Sequence, residues 1–100
     1  MPTFVLMTKL SPELAHDPRG RKKAGREWMK LVGEKCPGVK WLAHYALLGQ
    51  YDFMDIYEAP DMETAHKVST LSLQGGAADA ESWHALPYDR YLKLVEDLEK

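Results

Sequence analysis

The chain has 100 residues, of which 45% are hydrophobic and 28% charged, and its formal net charge is −2. These values are typical of one soluble globular domain and argue against a disordered or low-complexity chain. A domain of this size holds one core, so we expect an enclosed ligand pocket of several hundred Å³ to need a second subunit.

Neither membrane insertion nor export is expected. No apolar run approaches the roughly 20 residues that span a bilayer, and the N-terminus lacks the basic start of a signal peptide. The single cysteine, Cys36, has no partner for an internal disulfide and no metal-ligand spacing around it. The sequence therefore predicts a cytoplasmic protein without membrane contact.

The charges are unevenly distributed. Residues 19–40 hold eight of the 13 basic residues, and residues 51–100 hold eleven of the 15 acidic ones. Such a basic segment is either an anion-binding face or, more commonly, the solvent-facing side of a helix. Because the whole chain is mildly acidic, we expect no nucleic-acid partner.

The first half of the chain predicts a strand and a helix. Residues 3–9 are rich in β-branched and aromatic side chains and indicate a strand. Asp17 followed by Pro18 is typical of a helix start, and the helix is expected to reach about Lys35, before Pro37.

A hairpin and a second helix follow. Residues 39–48 and 51–58 predict two strands joined by a two-residue turn, in which Gly49 takes a positive φ. Asp61 is the expected N-cap of a helix that runs to about residue 73.

The last segment predicts a fourth strand at residues 79–86 and an amphipathic helix at about 88–98. The whole order is strand, helix, strand, strand, helix, strand, and a terminal helix. It predicts a single α+β domain over residues 1–100, a ferredoxin-like βαββαβ fold with a four-stranded antiparallel sheet. A second copy of the chain is the expected cover for the free sheet face, which makes the protein a homodimer or a higher homo-oligomer.

Two segments carry a family resemblance. They are the hairpin Gly49-Gln50-Tyr51-Asp52-Phe53-Met54-Asp55-Ile56-Tyr57-Glu58-Ala59-Pro60-Asp61 and the opening Thr3-Phe4-Val5-Leu6-Met7-Thr8-Lys9-Leu10-Ser11-Pro12-Glu13. Together they resemble the GYD-domain family, which is named for a Gly-Tyr-Asp turn, over nearly the whole chain up to about Pro87. The sequence departs from that pattern where Gln50 separates the glycine from Tyr51, and in a longer C-terminal helix.

The resemblance implies a ferredoxin-like fold of the dimeric α+β barrel group. Most members of the family lack an assigned biochemical role. The wider barrel group includes cofactor-free monooxygenases, lactone isomerases, haem enzymes and ligand-sensing domains, and the fold does not choose among them.

The hairpin register pairs a histidine with a carboxylate. With a two-residue turn, paired positions sum to 99, so His44 lies directly across from Asp55. Such a pair is a workable general base, with His44 as base and Asp55 as its orienting acid, and these are the candidate catalytic residues. The alternative is a hydrogen-bonded polar pair with a structural role.

The remaining candidate residues are assigned to ligand binding. Phe53 and Tyr57 share the face of the pair and would wall a planar ligand, Tyr51 lies at the hairpin tip, and His84 joins that face if Trp83 packs under the helices. The opposite face is more continuously apolar, so we expect it to pack against the helices and the His44 face to line the dimer interior. The hairpin residues of this opposite, more apolar face are Ala43, Tyr45, Leu47, Met54 and Ile56.

Two functions remain open at this stage. The first is an oligomeric barrel that binds a small organic molecule between sheet and helices near His44, Asp55 and Tyr57. The alternative is a cofactor-independent enzyme, monooxygenase- or isomerase-like, that uses the His-Asp pair. No metal site and no cofactor is expected, because no zinc spacing, phosphate loop or haem attachment motif is present.

Overall fold

The computed structural model describes all of residues 1–100. Its elements in chain order are β1 (Thr3–Leu10), α1 (Pro12–Ala15), α2 (Pro18–Lys35), β2 (Lys40–Ala46), β3 (Phe53–Glu58), α3 (Met62–Gln74), β4 (Ala77–Ala85) and α4 (Tyr88–Leu98). Every predicted element is present within a few residues of its expected bounds. The short helix α1 was not predicted.

Local capping chemistry sets the helix starts. The side chain of Asp17 accepts a hydrogen bond from the Gly20 amide at 3.0 Å, and that of Asp61 accepts one from the Thr64 amide at 2.8 Å. Each carboxylate satisfies an amide that has no partner inside the helix. Ser11 caps α1 in the same way.

The sheet has the order β2-β3-β1-β4, and all neighbouring strands are antiparallel. This is the strand order of a ferredoxin-like domain, in which β1 lies at the centre and each crossover passes through a helix. The predicted fold class, α+β with a four-stranded antiparallel sheet, is confirmed.

The helices cover the face of the sheet that the sequence assigned to the dimer interior. Phe4, Leu6 and Tyr57 point to this side and pack against Val32 of α2 and Val68 of α3, all at most 1% exposed. The expectation that the opposite face, with Tyr45, Met54 and Ile56, packs on the helices is therefore wrong. That expectation rested on the number of apolar residues on each face, whereas the helix-facing side also buries polar groups that are hydrogen-bonded to one another.

The hairpin register is as predicted from Ala43 to Ala46 and shifts further along, but the two-residue turn is wrong, because residues 47–52 connect the two strands. His44 pairs with Asp55, and Gly49 has a positive φ of 151°. Beyond them a bulge at Leu42 shifts the pairing, so that Trp41 rather than Leu42 lies opposite Tyr57. The bulge leaves Leu42 exposed and places Trp41 over the core, 5.4 Å from the Tyr57 ring.

Two apolar surfaces are left uncovered by the chain itself. The first, here called the open face, is the side of the sheet away from the helices, where Tyr45 and Trp83 are about half exposed. The second is α4, an amphipathic helix in which no residue is buried. None of the helices combines the length and apolar character that crossing a bilayer requires.

The turn between β2 and β3 is fastened to the central strand by Asp52. Its carboxylate Oδ2 accepts a hydrogen bond from the Leu10 amide at 2.8 Å, and its own amide donates to the Thr8 carbonyl oxygen at 2.8 Å. The Asp52 carboxylate and amide therefore bond to the neighbouring strand β1, while its carbonyl oxygen accepts from the Leu47 amide at 2.8 Å within the hairpin. The hairpin and the end of β1 are held as one unit.

Replacing Asp52 with alanine is expected to lower the free energy of unfolding by about 1–2 kcal/mol, because the Leu10 amide loses its carboxylate acceptor. Urea unfolding measures the change. Gln50→Ala, an exposed position of the same turn, is the control and should change stability by no more than about 0.5 kcal/mol. Equal stabilities of the two variants would show that the hydrogen bond contributes nothing.

Candidate functional site between the sheet and helix α2

A pocket of about 320 Å³ lies between α2 and the helix-facing side of the sheet. Helix α2 forms one wall with Arg21, Gly25 and Trp28, and the strands form the other with His44, Phe53 and Asp55. The volume is at the lower end of the range for small-molecule sites. A single chain thus forms a half-open pocket by itself, whereas the expectation from its length concerned an enclosed one.

His44 and Asp55 form a hydrogen-bonded pair in the pocket wall. His44 Nδ1 lies 2.7 Å from Asp55 Oδ1, and the Asp55 side chain is only 11% exposed whereas that of His44 is 46% exposed. The carboxylate therefore lies at the base of the pair and fixes the orientation of the ring. The second ring nitrogen of His44, Nε2, makes no hydrogen bond within the chain.

Burial raises the pKa of the Asp55 carboxyl above its ordinary value, and the hydrogen bond and charge of His44 lower it in part. Desolvation is the larger effect because burial penalises the charged form of an acid. Asp55 therefore favours folding below the unfolded-state pKa, and this contribution is lost as the pH rises through the higher folded-state pKa.

Asp55→Asn, which cannot titrate, is expected to be more stable relative to the wild-type chain at pH 7 than at pH 4. This change in relative stability between pH 4 and pH 7 should be larger in a His44→Asn background, because both effects that lower the Asp55 pKa come from His44. Urea unfolding of the four proteins at both pH values provides the measurement. A stability difference that is the same at pH 4 and pH 7 would contradict the assignment of a desolvated carboxyl.

The apolar part of the pocket is aromatic. The Arg21 guanidinium carbon lies 5.5 Å from the Phe53 ring centroid, and the Trp28 and Trp41 rings are 5.1 Å apart. Trp41 also lies 5.2 Å from the His44 ring. The Trp28 indole nitrogen is buried and has no hydrogen-bond partner. A ligand here would meet aromatic faces and the Arg21 guanidinium.

Two tyrosines proposed for ligand binding lie elsewhere. Tyr57 is fully buried in the core, where its hydroxyl lies 2.7 Å from Ser82 Oγ, so its ring does not line the pocket. Tyr51 lies with Trp83 and donates to Glu81 Oε2 at 2.8 Å. Glu81 and Trp83 belong to the open face, since they pair with Met7 and Val5.

His84 is not brought to the His44–Asp55 pair. It is on the same face of the sheet but on the opposite edge strand, beside Phe4 at 5.5 Å, and it lines a separate pocket against α3. Trp83 points to the open face rather than under the helices, which is what places His84 on the helix side. No group of three or more potential metal ligands occurs in the chain.

Sequence reasoning brought together His44, Asp55 and Phe53 but missed the α2 wall. Arg21 entered only as one of the basic residues of segment 19–40, and Trp28 was not among the candidate residues. Their spacing of seven residues, two helical turns, was the available signal that both lie on the same face. That α2 packs over His44 could not be known while the wrong sheet face was assigned to the helices.

Fold and pocket together define the class, a ferredoxin-like α+β domain with a small pocket between its sheet and a helix. The family model described as GYD domain matches residues 4–95, and the chain belongs to this family. A relative from Thermus thermophilus, named glutamine synthetase and cystathionine beta-lyase binding protein, is 30% identical over 91 residues. The match covers 87% of this chain and 90% of that protein.

Solved structures share the fold at low sequence identity. TTHA0845, also from Thermus thermophilus, superposes with a TM-score of 0.59 at 19% identity, covering 87% of this chain and 95% of that one. MtbAldR has a TM-score of 0.60 at 14% identity, covering 86% of this chain, which spans about half (52%) of its length. At these identities the likeness shows the fold alone.

Proposed function

We propose that this protein is a small-molecule-binding subunit that self-associates through the open face of its sheet and binds an organic ligand between the sheet and α2. The observation that carries the proposal is the 320 Å³ pocket with His44 and Asp55 in its wall. A desolvated carboxylate costs stability unless it is compensated, and such groups concentrate at functional sites. Phe53 and Trp28 supply the apolar contact area.

Self-association is supported by the open face. Val5, Ile56 and Tyr45 lie on neighbouring strands of this face, and Tyr45 is 55% exposed. An apolar sheet face without helices is a typical association surface. A second copy applied face to face would give the dimeric α+β barrel. The ligand site would then lie outside the barrel interior, under α2.

Native mass spectrometry of the purified protein tests both parts. We expect a dimer or higher oligomer that carries one small organic molecule per subunit. His44→Asn should lose the molecule and keep the assembly, because His44 lies on the helix side and not on the open face. A monomer with nothing bound would contradict the proposal.

The alternative is a cofactor-independent enzyme. His44 would act as base through Nε2 and Asp55 would hold the ring through Nδ1, at the observed 2.7 Å. The two functions differ in what happens to a bound molecule. Under the enzyme function, Asp55→Asn retains binding and loses turnover, whereas a binding subunit returns its ligand unchanged from the wild-type protein.

A second candidate function is binding of another protein, as the name of the Thermus thermophilus relative suggests. Helix α4 favours it, because Tyr88, Tyr91 and Leu94 are each at least half exposed on one short amphipathic helix. Interface hot spots are enriched in tyrosine. Titration with purified glutamine synthetase, using Tyr91→Glu as the α4 variant and Leu48→Glu as the control, would show whether α4 binds such an enzyme.

A further inference from the structure

The charges around the pocket point to one class of ligand. Helix α2, which forms one wall, carries seven basic residues and only two acidic ones. No carboxylate of the chain lies within salt-bridge distance of the pocket residue Arg21. An unpaired guanidinium beside an apolar cavity favours an anion, which it can bind through two parallel hydrogen bonds.

A second donor in the same wall is also unsatisfied. Trp28 Nε1 is buried without a hydrogen-bond partner, although buried polar groups are nearly always paired. An indole N–H only donates, so its missing partner is an acceptor. The pocket thus combines the free guanidinium of Arg21 with aromatic contacts from Phe53 and Trp28, whereas the unsatisfied Trp28 N–H is closed to solvent.

The acidic group of the pocket is engaged within the chain. Asp55 lines the pocket, but its side chain is only 11% exposed and its Oδ1 lies 2.7 Å from His44 Nδ1. The hydroxyl of Ser72, also in the wall, is used in a bond to the Val68 carbonyl oxygen. The charged group that the α2 wall offers to a ligand is therefore the Arg21 guanidinium.

We propose that the pocket binds a small amphipathic organic anion, a monocarboxylate with a planar apolar body, whose carboxylate is bound by Arg21 and whose body packs between Trp28 and Phe53. This inference rests on the proposed ligand function of the same pocket and specifies its ligand class. Arg21 sets the charge of the ligand, and the aromatic rings set its shape. The basic composition of α2 attracts the anion to the site.

The experiment compares two probes of nearly equal shape, 1-naphthylacetate and its neutral amide, 1-naphthylacetamide. Binding to the full chain is followed through the indole and backbone N–H signals in two-dimensional ¹H–¹⁵N NMR spectra, with the Trp28 indole signal assigned by Trp28→Phe. We expect the acid to bind about ten- to hundredfold more tightly than the amide, the ratio that a hydrogen bond to a charged group contributes. The Trp28 indole signal should shift on binding, because the ligand body packs on its ring.

Variants that remove one positive charge at different positions of α2 distinguish binding at Arg21 from nonspecific attraction of the anion to a basic helix. Arg21→Gln should abolish the preference for the acid, and Arg21→Lys should restore part of it. Arg26→Gln removes the same charge from an exposed position of α2 and should leave the preference intact. Unfolding curves of the variants confirm that each is folded.

The outcomes distinguish the two levels of the proposal. If acid and amide bind in the pocket with equal affinity, or if Arg26→Gln weakens the acid as much as Arg21→Gln does, the anion inference is overturned and the ligand pocket stands. If neither probe shifts any pocket signal, both the inference and the ligand function are overturned.

Discussion

Tyr57→Ala is expected to lower the free energy of unfolding by about 3–5 kcal/mol, a large share of the stability of a domain of this size. The ring is fully buried, stacks on Phe4 at 5.5 Å and contacts the Trp41 ring at 5.4 Å, so its removal leaves a cavity at the centre of the core. Tyr57→Phe keeps the ring and should cost only about 1 kcal/mol, the value of the hydrogen bond to Ser82.

Urea unfolding at low protein concentration measures both changes. Tyr88→Ala, at a position 72% exposed in α4, is the control and should stay within about 0.5 kcal/mol of the wild-type chain. Ile56 precedes Tyr57 in β3 and points to the open face. If Ile56→Ala costs as much as Tyr57→Ala, the assignment of the core to the helix-facing side of the sheet is wrong.

Ile56→Lys is expected to weaken the proposed self-association by more than about a hundredfold. The side chain lies on the open face between Val5 and Ala43, and an ammonium group buried there without a partner costs several kcal/mol. In the isolated subunit the long lysine side chain can reach solvent, so the fold should be retained.

Light scattering coupled to gel filtration measures the change as a shift from oligomer to monomer. Leu48→Lys introduces the same charge at the fully exposed hairpin tip and should leave the oligomer unchanged. An Ile56→Lys protein that remains oligomeric would place the association surface elsewhere, and α4 is the other uncovered apolar surface of the chain.

Local signals in the sequence were enough to predict the elements and their order. The caps Asp17 and Asp61 define two helix starts through side-chain chemistry that acts over three residues. Gly49 set the hairpin register far enough to pair His44 with Asp55. Helix α1 was missed because four residues after Ser11 carry no periodicity that could be recognised.

Which face of the sheet the helices cover could not be predicted from the local sequence pattern. Both faces of β3 are rich in apolar side chains, Met54 and Ile56 on one side and Phe53 and Tyr57 on the other. Which one is covered by helices depends on long-range packing, and on the polar pairs, His44–Asp55 and Tyr57–Ser82, that make the helix side suitable for burial. The bulge at Leu42 was likewise invisible, since nothing in the residues around it requires an extra position.

Only one of the two walls of the candidate site was therefore predicted from the sequence. The strand wall followed from hairpin register, which is a local property of the turn. The helix wall, with Arg21 and Trp28, follows from how α2 crosses the sheet, which is a tertiary property. His84 and Tyr57 were wrongly grouped with the pair's surroundings because sharing a sheet face does not bring residues into one pocket.

Two glycines of α2 offer the sharpest test of whether a small organic molecule binds between the sheet and this helix. Gly25 lines the pocket and Gly33 does not, and an added side chain would meet open space at both. Gly25→Phe fills the pocket, whereas Gly33→Phe makes the same change two turns along the helix, and both replacements favour helix formation.

Titration of the three proteins with 1-naphthylacetate, followed in two-dimensional ¹H–¹⁵N NMR spectra, provides the measurement. We predict saturable shifts of the Phe53 and Asp55 amides and of the Trp28 indole in the wild-type and Gly33→Phe proteins, and none in Gly25→Phe. Equal binding by all three proteins, or shifts confined to Tyr45, Ile56 and Trp83 on the open face, would contradict a ligand site under α2.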